Sequence, residues 1–141
     1  MSEITIEERL FRGVTIIDLS GKLGLGESNR RLHESIRRLV LEGKTQIIVN
    51  LEKVTHIDSS GLGELVSGYT TLKANNGELK LTNVNERITD LMTITKLYTV
   101  FEIFSTELDA VYSFDEPTPA VITGPLNSPF DPVVLANSTI Q

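Results

Sequence analysis

Hydrophobic and polar positions change period several times along the chain, and each change marks an element. Residues 4–10 (ITIEERL) and 14–19 (VTIIDL) are short β-branched runs on either side of Arg12-Gly13, which predicts a hairpin. In 28–42 (SNRRLHESIRRLVLE), Leu32, Ile36, Leu39 and Val40 recur at helical spacing. Ser28 is available there as a cap, and Gly43 is suited to end the helix in a left-handed conformation. Residues 46–51 (QIIVNL) hold consecutive β-branched positions with no polar alternation, the mark of a central strand covered on both faces. Leu62, Leu65, Val66, Tyr69 and Leu72 share one stripe and predict a helix over 61–75, stopped by Asn75-Asn76-Gly77. Residues 78–82 alternate as a strand, 85–95 present Ile88, Leu91 and Met92 as a helix face, and Phe101–Phe104 and Glu107–Phe114 give one more strand and helix. A hairpin followed by this β/α alternation predicts an α/β fold, a single domain over 4–114 whose mixed β-sheet has helices packed against it.

Composition then sets a boundary. All five prolines fall at 117, 119, 125, 129 and 132, and the segment 115–141 has no Lys or Arg, so it is expected to be a disordered tail that buries too little apolar surface to order itself. The N-terminal sequence MSEITIEERL lacks the layout of a secretory signal and no apolar run is long enough to span a bilayer, so a cytoplasmic protein with no membrane contact is expected. With no cysteine and two histidines, disulfides, thiolate chemistry and a histidine-rich metal cage are excluded, and no cofactor or metal is expected. A net charge of −6 repels phosphate backbones, which argues against nucleic acid as a partner. Arg30, Arg31, Arg37 and Arg38 read as the solvated basic side of the first helix.

The chemistry concentrates in Val54-Thr55-His56-Ile57-Asp58-Ser59-Ser60-Gly61-Leu62-Gly63, between the central strand and the helix predicted to begin near Gly61. Peptide N–H groups in a helix's first turn lack intrahelical partners, so an anion added at Ser59 or Ser60 would find donors nearby. The plainer reading is that Asp58 or Ser59 caps the helix, and the two readings are compatible. His56, Asp58, Ser59 and Ser60 supply hydrolase residue types, but near-consecutive neighbours on one turn do not form a triad, and no Gly-x-Ser-x-Gly elbow is present. Gly21-Lys22-Leu23-Gly24-Leu25-Gly26 lacks the Lys-Ser/Thr ending of a phosphate-binding loop. The expectation is a protein that is not an enzyme.

The chain resembles the STAS domain family of bacterial anti-sigma factor antagonists over nearly all of 4–114. The resemblance rests on Val14-Thr15-Ile16-Ile17-Asp18-Leu19-Ser20-Gly21-Lys22-Leu23, on Ile47-Ile48-Val49-Asn50-Leu51, on Ile57-Asp58-Ser59-Ser60-Gly61-Leu62-Gly63 and on Gly77-Glu78-Leu79-Lys80-Leu81. It implies that Ser59 is the phosphoacceptor, with Asp58, Ser60 and Gly61 supporting the turn. The implied partners are an anti-sigma factor serine kinase, bound by the unmodified protein so that a sigma factor is released, and a metal-dependent serine phosphatase that reverses the modification. Glu64, Ser67 and Gly68 are the candidate partner-binding positions on the following helix. The chain departs from many such antagonists at Gly24, where they carry an acidic residue. The alternative is a non-phosphorylated or nucleotide-binding STAS adaptor in a stress-signalling or lipid-transport complex.

Overall fold

The computed structural model describes residues 4–24 and 26–115. The backbone divides into one unit ending at Val111 and another from Tyr112 to Gln141, and the architecture below is that of the first. Beyond Asp115 the expected tail lies outside the described residues.

Strands β1 (Ile4–Phe11) and β2 (Val14–Leu23) form the predicted antiparallel hairpin. Its two turn residues, Arg12 (φ 54°) and Gly13 (φ 80°), both adopt positive φ, as the twist of a two-residue hairpin loop demands. Helix α1 (Glu27–Leu41), β3 (Gln46–Ile57), α2 (Ser59–Ala74), β4 (Glu78–Thr82), α3 (Glu86–Thr95), a 3-10 turn (Leu97–Thr99), β5 (Ile103–Phe104) and α4 (Glu107–Ser113) follow. The sheet order is β1-β2-β3-β4-β5, with β2 to β5 mutually parallel. Parallel strands that advance in one direction through connections of one hand place their crossover helices on the same face. Accordingly Ile17, Leu19, Ile47, Val49, Leu79 and Leu81 share one core with Leu32, Ile36 and Leu39 of α1, Leu62, Leu65 and Leu72 of α2, and Ile88 and Met92 of α3.

The opposite face holds Val14, Ile16 and Ile48, buried with Ala110 and Val111 of α4. Arg9, the cross-strand neighbour of Ile16, donates two hydrogen bonds to Asp18 (2.6 and 3.0 Å) and two to Glu107 of α4 (2.7 and 3.2 Å). Asp18 also accepts from Asn50, whose carbonyl oxygen accepts from Asn83, so the polar chain crosses to the end of β4. The same face buries Lys80, whose ammonium lies 3.1 Å from Glu102 and 5.7 Å from the Phe104 ring centroid. Coverage of the second face holds this lysine inward within the strand.

Several expected boundaries move. β2 and β3 run on to Leu23 and Ile57 through register shifts between Asp18 and Ser20 and between Gly21 and Lys22. Ser28 does not cap α1: Gly26 occupies that position with φ 78° and no side-chain cap, and Ser28 is buried inside the first turn. Gly43 does end α1 with positive φ (79°). Helix α2 starts at Ser59, two residues before Gly61, and the last strand shrinks to Ile103–Phe104 because Phe101 leaves the sheet to fill the core, edge-on to Tyr69.

The register brings the end of β2 against the start of α2. The Asp58 N–H donates to the Leu23 carbonyl (3.3 Å), and a Cβ on Gly61 would collide with that same carbonyl oxygen and meet Ile57 Cγ1 at 3.0 Å. Gly63, one turn-fraction on, has nothing within 4 Å of its Cβ position. Gly61→Ala should therefore lower unfolding free energy by about 1–3 kcal/mol, the cost of forcing a backbone apart. Gly63→Ala should raise it by up to about 1 kcal/mol through helix propensity. Urea denaturation of the two variants checks the pair. Asp58 caps α2 by accepting from the Gly61 N–H (2.9 Å), so Asp58→Ala should cost about 1 kcal/mol at neutral pH. The Asp58 carboxyl is held below the usual carboxylate range by the Ser60 hydroxyl first and the Gly61 N–H second. That stabilisation is present above the unfolded-state pKa of about 4 and is lost as the pH falls through the lower folded-state value, so the difference between wild type and Asp58→Ala should narrow in acid.

Candidate functional site

The turn Asp58-Ser59-Ser60-Gly61 stands where β2 and β3 both end, at the N-terminus of α2. Because the helix begins at Ser59, the two serines occupy its first two positions and do not precede it. Asp58 at the cap has extended backbone (φ −115°, ψ −177°), which aims its carboxylate across the first turn.

The two hydroxyls differ. Ser60 is half-buried; its hydroxyl donates to Asp58 Oδ1 at 2.6 Å and accepts from Asn29 Nδ2 of α1 at 3.1 Å. Ser59 is exposed, and among the described residues its side chain takes no hydrogen bond. The Asp58 carboxylate thus has Oδ1 occupied by Ser60 and Gly61, while Oδ2 faces Gly24, where a Cβ would lie 2.7 Å away. Glycine at position 24 leaves that side of the carboxylate uncrowded, and a side chain there would displace Asp58 from its present rotamer.

Chemically the arrangement offers one solvated hydroxyl next to a fixed negative charge, at a helix end whose N–H dipoles favour a further anion. His56 is exposed, and among the described residues no hydrogen bond joins it to Ser59 or Ser60. Among the described residues no helix is long and apolar enough to cross a membrane.

The candidate partner-binding positions do not form one exposed face. Glu64 is half-buried with Oε2 3.1 Å from His33 Nδ1 of α1, and Gly68 is buried where α2 meets α1, its Cβ position 2.6 Å from Ile36 Cδ1. Ser67 is half-buried. Glycine at 68 is the contact that lets the two helices approach, which sets Glu64 and Gly68 toward α1. The exposed positions of α2 are Ser59, Gly63, Thr70, Lys73 and Ala74. The basic side of α1 is also less free than its pattern suggests: Arg38 pairs with Glu8 and Glu42, and Arg31 donates to the Ile4 carbonyl at 2.6 Å. Asn29 and His33, which join α1 to the turn and to Glu64, were not legible from local pattern, since each acts on a residue 31 positions away.

A family model described as the STAS domain matches residues 5–110. An anti-sigma F factor antagonist of Paenibacillus polymyxa is 30% identical over 111 residues, which cover 77% of this chain and 92% of that protein. Among solved structures, SpoIIAA in its unphosphorylated form aligns with a TM-score of 0.62 at 22% identity, covering 81% of this chain and 99% of that one. The Bacillus cell fate determinant SpoIIAA in its phosphorylated form aligns with a TM-score of 0.62 at 23% identity, covering 78% and 99%. At those identities the structures speak for the fold. The family match runs from β1 into α4 and the Paenibacillus relative is matched over most of its length, so the chain belongs to the STAS domain family, whose relatives here are bacterial anti-sigma factor antagonists.

Proposed function

We propose that the protein is a phosphorylation-controlled binding switch: unmodified, it binds an anti-sigma factor that is also a serine kinase and so frees a sigma factor, and phosphorylation at Ser59 ends that binding. The observation that carries this reading is the exposed Ser59 hydroxyl at the first position of α2, without a hydrogen-bond partner among the described residues and beside a carboxylate already fixed by its own cap. The relative named an anti-sigma F factor antagonist supports the partner class, and a structural neighbour known in phosphorylated and unphosphorylated forms supports the modification. A metal-dependent serine phosphatase completes the cycle.

In the transfer step the Ser59 Oγ–P bond forms, the bond between the γ-phosphorus of ATP and the ADP oxygen breaks, and the hydroxyl proton passes to a base of the kinase. The product carries about −1.5 to −2 charges more than serine, on a domain whose net charge is already −6. Each pair of like unit charges about 5 Å apart costs about 3 kcal/mol at an effective dielectric of about 20, against roughly 1 kcal/mol in bulk water. The modification is therefore decisive only where a partner excludes water from the turn. The helix dipole returns at most about 2 kcal/mol within the domain, which favours the modified monomer without restoring the complex.

Titration of wild type, Ser59→Ala and Ser59→Asp against the serine kinase that co-purifies with the chain from its native cell tests this. Ser59→Ala should bind within about threefold of wild type and Ser59→Asp roughly tenfold or more weaker, since each tenfold needs only about 1.4 kcal/mol of repulsion. Equal affinities for all three would remove the mechanism, and an intact mass lacking the added phosphoryl group of about 80 daltons in protein from that cell would favour a non-phosphorylated adaptor.

A further inference from the structure

We infer that Asn29 is a positioning residue that decides which of two adjacent serines is open to phosphorylation: its amide, donating to Ser60 Oγ while Ser60 donates to Asp58, withholds Ser60 and leaves Ser59 as the acceptor. The inference rests on the phosphorylation reading above and adds to it the selection between neighbours that share one exposed turn.

Asn29 sits in the first turn of α1, where a short polar side chain ordinarily bonds its own backbone and competes with the helix. It does not do so here. Its Nδ2 reaches Ser60 Oγ at 3.1 Å, and its Oδ1 is buried with no hydrogen-bond partner among the described residues. A buried acceptor without a donor is costly, and an asparagine inside a helix brings no propensity gain in return. Both local terms are unfavourable, so the return on this residue lies at Ser60. One helical turn further along each helix, His33 meets Glu64 at 3.1 Å, and Gly68 admits Ile36 of α1. These contacts hold α1 and α2 at the separation that the Asn29–Ser60 bond requires.

Phosphoryl transfer to a serine needs an Oγ lone pair free to attack and a hydroxyl proton free to leave. At Ser60 one lone pair accepts from Asn29, and the proton is held at 2.6 Å by Asp58. That carboxylate is itself a weakened base, its pKa lowered by Ser60 and Gly61. Ser59 carries none of these restraints, and its proton can pass to the base of an attacking enzyme.

The test places full-length variants in the native cell, so that the host's own kinase acts, and maps phosphoserine at 59 and 60 by peptide mass spectrometry. Wild type should carry phosphate at Ser59 with roughly a tenth as much or less at Ser60, and Ser59→Ala alone should not raise Ser60 above that level. Ser59→Ala combined with Asn29→Ala should raise Ser60 occupancy by roughly tenfold, the effect of releasing one hydrogen bond to a charged network. Asn29→Asp, isosteric but without the donor, should do the same in place of Asn29→Ala, and thermal melts of both show whether the fold is kept. A residue that merely propped the helices would alter melting without moving the site of modification. If Ser59→Ala with Asn29 intact is phosphorylated at Ser60 as fully as wild type is at Ser59, the inference is overturned while the switch stands. If no variant releases Ser60, the inference also falls. Absence of phosphate at both serines in wild type would overturn the switch itself, and this inference with it.

Discussion

The structure depends on how closely the first turn of α2 approaches the end of β2. Gly61 lies against the Leu23 carbonyl with no room for a side chain, and that same carbonyl accepts from the Asp58 N–H. The contact fixes the angle at which β3 turns into α2, and so fixes where Asp58, Ser59 and Ser60 point. The cap then follows locally: with the backbone extended at Asp58, the carboxylate reaches the Gly61 N–H and collects the Ser60 hydroxyl. Ser59, at the first helical position, is carried outward. This close backbone approach sets two chemically identical neighbours in different surroundings, Ser60 against Asp58 and within reach of Asn29, and Ser59 exposed.

The electrostatic logic follows from that separation. The anionic charge on Asp58 is already balanced by donors, so a second anion on Ser59 draws on the remaining helix-end dipole inside the domain. Toward a partner the account has the opposite sign, because a desolvated surface amplifies repulsion several-fold over water. On the proposed function, the same small region tolerates the modification as a folded monomer and rejects it as a complex. This asymmetry is what a reversible binding switch requires, and it needs no catalytic group on the chain.

Much of this was legible in the residues. Hairpin, helices and parallel strands followed from apolar periods, and the cap was narrowed to Asp58 or Ser59 before an apolar run, of which the structure takes Asp58. What escaped did so for physical reasons. β2 and β3 looked short because the register shifts near Ser20 and Gly21 break the two-residue alternation, leaving Val54 and Ile57 at an odd spacing. The burial of Lys80 carried no local signal because coverage of the second sheet face is set by distant residues, Ala110 and Val111 among the buried ones. Glu64 and Gly68 looked available because their helix was read in isolation; the absence of a side chain at Gly68 is what admits Ile36 of α1. Asn29 carried no local signal, since its role exists only once α1 and α2 lie side by side.

The most direct measurement is calorimetric titration of the unmodified protein and of protein with phosphoserine installed stoichiometrically at position 59, each against the co-purifying kinase, with thermal unfolding recorded for both. The account predicts a loss of affinity of roughly a hundredfold or more, corresponding to about 3 kcal/mol, with melting temperatures within a few degrees, about 1 kcal/mol or less in stability. Equal affinity of the two forms, or loss of binding accompanied by loss of the fold, would contradict it.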